Sequence, residues 1–212
     1  MSWNNELARL GDPADGRVAP AFRAHHAAVA LIMIGRGQPL GRYELTHNMS
    51  IGEGSARTLL KRLTEADYIT ADRKQGQKLT HKGQALFERM MRDVPLGLFL
   101  EVPRLVTHRH AFANLVKARA DKVSDGVRQR DEAIIQGGYH RAGSTTLVMK
   151  QGVLTMPPGD FNVMSEYGNE AALVVESLKP QDEDVMVIGS ADDENLAREV
   201  SMAAVMTLFE ED

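Results

Sequence analysis

Gly52-Glu53-Gly54-Ser55-Ala56-Arg57-Thr58-Leu59-Leu60-Lys61-Arg62-Leu63 is followed closely by Tyr68-Ile69-Thr70-Ala71-Asp72-Arg73-Lys74-Gln75-Gly76-Gln77-Lys78-Leu79-Thr80. In the first stretch Ala56, Leu59, Leu60 and Leu63 recur at helical spacing and predict a buried stripe. Arg57, Thr58, Lys61 and Arg62 fall on the opposite face. In the second stretch two short β-prone runs flank a polar, basic tip that contains Gly76. That pattern predicts a hairpin carrying Arg73, Lys74 and Lys78. A basic helix therefore leads directly into a basic hairpin.

Working outward, Pro20 suits the first turn of a helix, where its missing N–H costs nothing. Phe22, His26, Val29, Ala30 and Met33 continue at helical spacing, and Gly35 and Gly37 predict a stop, which places a helix at about 20–34. Leu40 to His47 reads as a short second helix with Tyr43 and Leu45. Asn48-Met49-Ser50-Ile51-Gly52 reads as a tight turn. Beyond the hairpin, Thr80 is a good N-cap for a fourth helix, His81 to Arg92.

The order helix, short helix, turn, basic helix, basic hairpin, helix resembles the winged helix family. Leu79-Thr80-His81-Lys82-Gly83 also resembles a stretch frequent in winged-helix regulators. The resemblance implies double-stranded DNA as partner. Arg57, Thr58 and Lys61 are then the candidates for base edges in the major groove, with Ser55 and Arg62 on the same helix. Arg73, Lys74 and Lys78 would touch phosphates or the minor groove. The helix start at Gly52–Ser55 offers backbone N–H groups to a phosphate, although Glu53 opposes that contact. The competing reading is a protein-interaction module, which winged helices also form.

The charge distribution supports a polyanion partner for this half alone. The chain of 212 residues has net charge −4. Between Arg17 and Arg92 there are 13 Lys/Arg against 6 Asp/Glu, a net +7. From Asp93 to Asp212 there are 11 against 20, a net −9. A sign change between halves predicts two modules with different partners. Hydrophobic residues make up 43% of the chain, enough to bury a core. With no cysteine, disulfide scaffolds, cysteine zinc fingers and cysteine nucleophiles are excluded. No apolar run approaches the ~18–20 residues needed to cross a membrane, and the polar start, Met1 to Leu10, is not a signal peptide. A cytoplasmic protein is expected.

The second half alternates. His110 to Ala118 is strand-like. Ser124 would cap a helix to about Gln136 with Val127, Ile134 and Ile135 inward, ended by Gly137-Gly138. Thr145 to Met149 and Val153 to Met156 read as strands, Ala171 to Leu178 as a short helix, Val185 to Ile188 as a buried strand and Asp193 to Phe209 as a last helix. The fold class expected is α+β: a winged helix-turn-helix followed by a small layered α/β domain, its sheet covered by helices on one side. The boundaries expected are a polar arm at 1–19, the winged helix at 20–93, a connector at 94–107 and an effector-binding or dimerisation domain at 108–212.

The stretches DGVRQRDEAIIQGG, GSTTLVMKQGVLTMP and VMVIGSADDENLAREVSMAAVMTL resemble those of an uncharacterised archaeal family. That family joins a winged helix to a C-terminal domain of unknown function, similar to layered α/β folds grouped with the GAD insert domain. The likeness implies a transcriptional regulator and supplies no ligand or reaction.

Candidate ligand chemistry in the second half is sparse. Gly189-Ser190-Ala191-Asp192-Asp193 lies between a strand and a helix N-terminus, where N–H groups converge; since Asp192, Asp193 and Glu194 already supply negative charge, a capped helix with an acidic first turn is the plainer reading. Arg130 beside Asp131 would either clamp a polar effector or form a surface ion pair, and Thr145 opens the strand nearby. His108-x-His110 with His140 lacks a completing carboxylate or cysteine, so no metal is expected. His25-His26 reads as helix surface plus core edge, since neighbours on a helix cannot share a face. Phosphate-binding, dinucleotide, zinc-protease and nucleophile-elbow signatures are missing, so neither catalysis nor a cofactor is expected. These readings converge on a DNA-binding transcriptional regulator, expected as a homodimer, with a small-molecule effector for its second domain. An enzyme with a DNA-binding head and an interaction adaptor are the alternatives.

Overall fold

The computed structural model describes residues 2–12, 20–72, 76–159 and 161–210. They form two units, Met1–Met90 and Met91–Asp212, one mainly helical and one built on a sheet.

The first unit contains α1 (Trp3–Ala8), α2 (Ala24–Gly37), α3 (Arg42–His47), α4 (Glu53–Glu65), β1 (Ile69–Asp72), β2 (Gly76–Leu79) and the start of α5 (His81–Asp93). The expected polar arm contains a helix. Ser2 caps α1 by accepting from the Asn5 N–H at 3.3 Å, and Trp3, Leu7 and Leu10 are buried. Their spacing of four and three residues is one helix stripe. Glu6 on its outer side accepts two hydrogen bonds from Arg89, at 2.7 and 3.0 Å, and one from the Tyr68 hydroxyl at 3.2 Å. Together these hold the Glu6 carboxyl below its ordinary pKa.

Helix α2 starts four residues later than expected and ends three later. Arg23 is extended, and its N–H donates to His26 Nδ1 at 2.9 Å, which fixes the start at Ala24. Gly35 is inside the helix rather than at its end. A Cβ there would stand 2.5 Å from the Phe87 ring, so its role is close packing. The hairpin pairs Ile69 with Leu79 and Asp72 with Gly76. Leu40 joins it through two backbone hydrogen bonds with Gln77, at 3.0 and 2.7 Å. Thr80 accepts from the Gly83 N–H at 3.0 Å and caps α5 as expected.

The second unit is a six-stranded antiparallel sheet in the order β3-β4-β8-β5-β6-β7, made of β3 (Leu96–Phe99), β4 (His110–Val116), β5 (Ala142–Lys150), β6 (Val153–Met156), β7 (Phe161–Asn162) and β8 (Val185–Ala191). Helices α6 (Val127–Gly137), α7 (Val163–Leu178) and α8 (Glu194–Met206) cover it. The expected connector holds edge strand β3, paired with β4 from Leu96↔Leu115 to Phe99↔Phe112. Leu100, Val102 and Leu105 after it are buried in the core.

Helices lie on both faces of the sheet, not on one side. Registered partners share a face, so Leu115, Met186 and Leu147 point together, and they pack in one cluster with Val163, Ala171, Val174 and Leu178 of α7. On the other face a Cβ at Gly189 would collide with Ser201 of α8, and one at Gly137 of α6 with Ala142. Period-2 patterning marks buried strands but not which helix covers which face.

The inward set expected for α6 is also corrected. Ile135 is 67% exposed and Val127 lies outside, while Gln129, Ala133 and Gly137 are buried. Helix α7 is twice the length expected. It runs through Gly168 and is kinked at Tyr167 (φ −119°, ψ 36°), and that break hides its first half from a periodicity reading.

Candidate functional sites

Helix α4 sorts its residues as the sequence predicts. Ala56, Leu59, Leu60 and Leu63 are buried, and Arg57, Thr58 and Lys61 are exposed. Ser55 and Arg62 are half-buried. Gly52 is the N-cap and supplies no capping side chain. The two outward cations are not bare. Arg57 reaches Glu53 at 3.1 Å and Lys61 reaches Glu65 at 3.7 Å, each an (i, i+4) pair with every partner more than half exposed. Such pairs contribute only about 0.3–0.5 kcal/mol, so a phosphate can displace either carboxylate. Thr58 donates its hydroxyl to the Gly54 carbonyl at 2.9 Å. Lys78 on β2 is half-buried. Arg73 and Lys74 lie outside the described residues.

Beside the start of α4, Arg42, Tyr43, Thr46, His47, Ile51 and Glu53 line an open hollow of about 310 Å³. Tyr43, which the sequence suggested as part of the short helix's apolar set, is 84% exposed. It stacks nearly parallel on His47 with ring centroids 6.2 Å apart. Sequence reading missed this pair because α3 spans six residues, less than two turns, too few to fix a face. Leu45 is its buried member.

In the second unit the strand–helix junction at Gly189–Asp193 is occupied by packing and capping. Asp193 Oδ1 accepts from the Leu196 N–H at 2.9 Å and caps α8. Asp192 is exposed, and Ser190 is buried on the sheet face opposite α8, 3.5 Å from His108 Nδ1. These residues do not converge on one space. Arg130 pairs with Asp131 at 2.9 Å on the surface. Thr145 donates its hydroxyl to the Leu105 carbonyl at 2.6 Å.

A cleft of about 300 Å³ does open nearby, lined by Asp125, Gly126, Val127, Arg130, residues 144–146 of β5 and Met156-Pro157-Pro158. It sits at the N-terminus of α6, where Gly126 is left-handed at φ +75°. Of the residues nominated from sequence, it unites Arg130 with Thr145. Ser144 and Thr146 were missed, since a hydroxyl on a strand carries no motif.

His108, His110 and His140 have separate surroundings. His108 meets Thr107, His110 approaches Glu194 at 3.8 Å, and His140 packs on Tyr139. Among the described residues no three His, Cys, Asp or Glu side chains form a metal-sized group. Among them, too, no helix is long and apolar enough to cross a membrane.

Helical head and sheet-based body define a two-domain chain, and comparison with known proteins divides it the same way. Residues 27–85 match the family described as PH0730-like, N-terminal domain, and residues 107–208 match a domain of unknown function, DUF4443. Together these matches support a two-domain family of uncharacterised function. A solved structure, the hypothetical protein PH0730 from Pyrococcus horikoshii OT3, is similar with a TM-score of 0.67 at 23% identity. The likeness spans 89% of this chain and 92% of that one, and at that identity it concerns the fold. No curated protein matches.

Proposed function

We propose that this protein is a DNA-binding transcriptional regulator whose first unit is a winged helix and whose second unit senses a ligand or dimerises. The observation that carries the reading is α4. It buries one stripe against its own unit and presents Arg57, Thr58 and Lys61 outward, with a hairpin directly after it. A helix so held can lie in a major groove, with the hairpin beside it on the backbone. The net +7 of this half supplies counterion release. The acidic second half is repelled by the same polyanion, which keeps it clear of the duplex. The missing catalytic signatures favour a non-enzymatic role.

The pairing of Arg57 and Lys61 with Glu53 and Glu65 favours one competing reading, an adaptor for a protein surface. Fluorescence anisotropy on random duplex from about 50 to 300 mM salt separates the two. Binding that falls steeply with salt, and about tenfold or more for Arg57→Ala/Lys61→Ala, supports the regulator. No binding at the lowest salt leaves the adaptor.

A further inference from the structure

We infer that the cleft at the start of α6 is a binding site for a small organic anion, a carboxylate or a phosphate ester. This deepens the sensing part of the proposed function and rests on that reading for its biological meaning, though not for the binding itself.

Two hydroxyls carry the inference. Thr146 is 5% exposed, and its Oγ1 has no hydrogen-bond partner. Ser144, two residues earlier and therefore on the same face of β5, has a buried Oγ that is equally without a partner. Buried polar groups are almost always bonded, and an unpaired hydroxyl is a net cost to folding. Both residues line the cleft, and a Cβ at Gly126 would stand 3.7 Å from Thr146 Oγ1. The orphan hydroxyls therefore adjoin the N-cap of α6.

The surroundings state what the hydroxyls would bind. The first intrahelical bond of α6 runs from Arg130 N–H to the Gly126 carbonyl at 3.1 Å. The amides of Arg128 and Gln129 precede it and have no partner within the helix, and the positive end of the helix dipole lies there. The first turn of α6 holds no acidic residue. Arg130 reaches the cleft from the next turn, and its surface pair with Asp131 is weak enough to exchange.

Among the described residues that line the cleft, Asp125 supplies the opposing charge. Its Oδ1 is engaged by the Val127 N–H at 2.9 Å and the Ser124 hydroxyl at 3.4 Å. Met156, Pro157 and Val127 form an apolar wall. A volume of about 300 Å³ suits a small metabolite rather than a nucleotide, being at the lower limit of ligand pockets.

The test is a ¹H–¹⁵N NMR titration of the full chain, without DNA, with inorganic phosphate and with lactate, against chloride at matched ionic strength. At least one probe is expected to give saturable shifts confined to residues 125–130 and 144–146. Thr146→Val keeps the shape and removes the hydroxyl. It should weaken binding about tenfold, the effect of one charge-assisted hydrogen bond, while the melting temperature of the free protein stays level or rises. Arg130→Gln, at an exposed position, should weaken binding similarly without loss of fold. Phosphate alone binding points to a phosphate ester, lactate alone to a carboxylate. Three outcomes overturn the site: no saturable shift with either probe, Thr146→Val binding as well as wild type, or Thr146→Val melting markedly lower, which would give the hydroxyl a structural partner. A chain that fails on DNA yet binds a probe here loses the regulator reading and keeps the site.

Discussion

A Cβ on Gly189 would stand 2.4 Å from the backbone nitrogen of Ser201, and that one distance gives this glycine, between a strand and a helix, a packing role. A glycine there reads as a place for a ligand's phosphate or for a neighbouring helix, and the choice depends on a residue twelve positions away. Asp193, by contrast, behaves as its chemistry predicts and caps α8. The sequence divides His25 and His26 between helix surface and core edge; both are buried, and His25 is the deeper. It is 5% exposed, and burial, with help from the charges of His26 and Arg23, pushes its pKa well below the ordinary 6.5. A base depressed in this way binds its proton only after unfolding. The unfolded chain then holds more protons below about pH 6.5, so stability is full above that pH and falls as the solution is acidified. The loss is at most about 1.4 kcal/mol per pH unit for one such group. The Glu6 carboxyl, held below 4.5, contributes stability that is present above pH 4.5 and lost only below it. Urea titrations followed by the fluorescence of Trp3, the single tryptophan, should show the midpoint dropping between pH 7.5 and 5.5. His25→Gln should flatten that slope; an equally steep slope would assign it to another group.

Among the elements, α4 was legible because four buried residues at helical spacing need no partner to be recognised. The hairpin was legible because its turn chemistry is local. Elements whose reason is distant were not. The residues that pack from α1 and the turn after it, Trp3, Leu7 and Leu10, are three among mostly polar neighbours, and the stripe has meaning only against the helices it meets. Strand β3 is four residues long between prolines, with a glycine inside it, a composition that suggests a linker. If α1 is a packed part of the first unit, its core residue must behave as one. Leu7 is fully buried, so Leu7→Ala should cost about 2–5 kcal/mol, the range for emptying such a site. A polar arm would give less than about 0.5 kcal/mol. The same tryptophan signal reads the difference, since Trp3 shares the helix.

At the scale of the whole molecule, the division at Met90/Met91 assigns residues 94–107 to the second unit rather than to a linker between the units. The consequence concerns where that unit can be cut. A chain starting at residue 108 matches the boundary expected from sequence and nearly the boundary of the family match at residue 107. It would discard β3, all of whose backbone pairs with β4, together with Leu100, Val102 and Leu105 from the core. Each of those three side chains is worth about 1.5–3 kcal/mol of burial, a sum comparable to the whole stability of a domain, about 5–15 kcal/mol. Removing β3 also bares β4 as an edge, and an exposed apolar edge strand invites association. A fragment of residues 91–212 retains Asp93, whose carbonyl accepts from the Lys117 N–H at 2.8 Å, and is expected to unfold in one cooperative transition. The fragment of residues 108–212 should melt far lower or aggregate. Circular dichroism melts of the two, side by side, check this; equal stability would return residues 94–107 to the role of a linker.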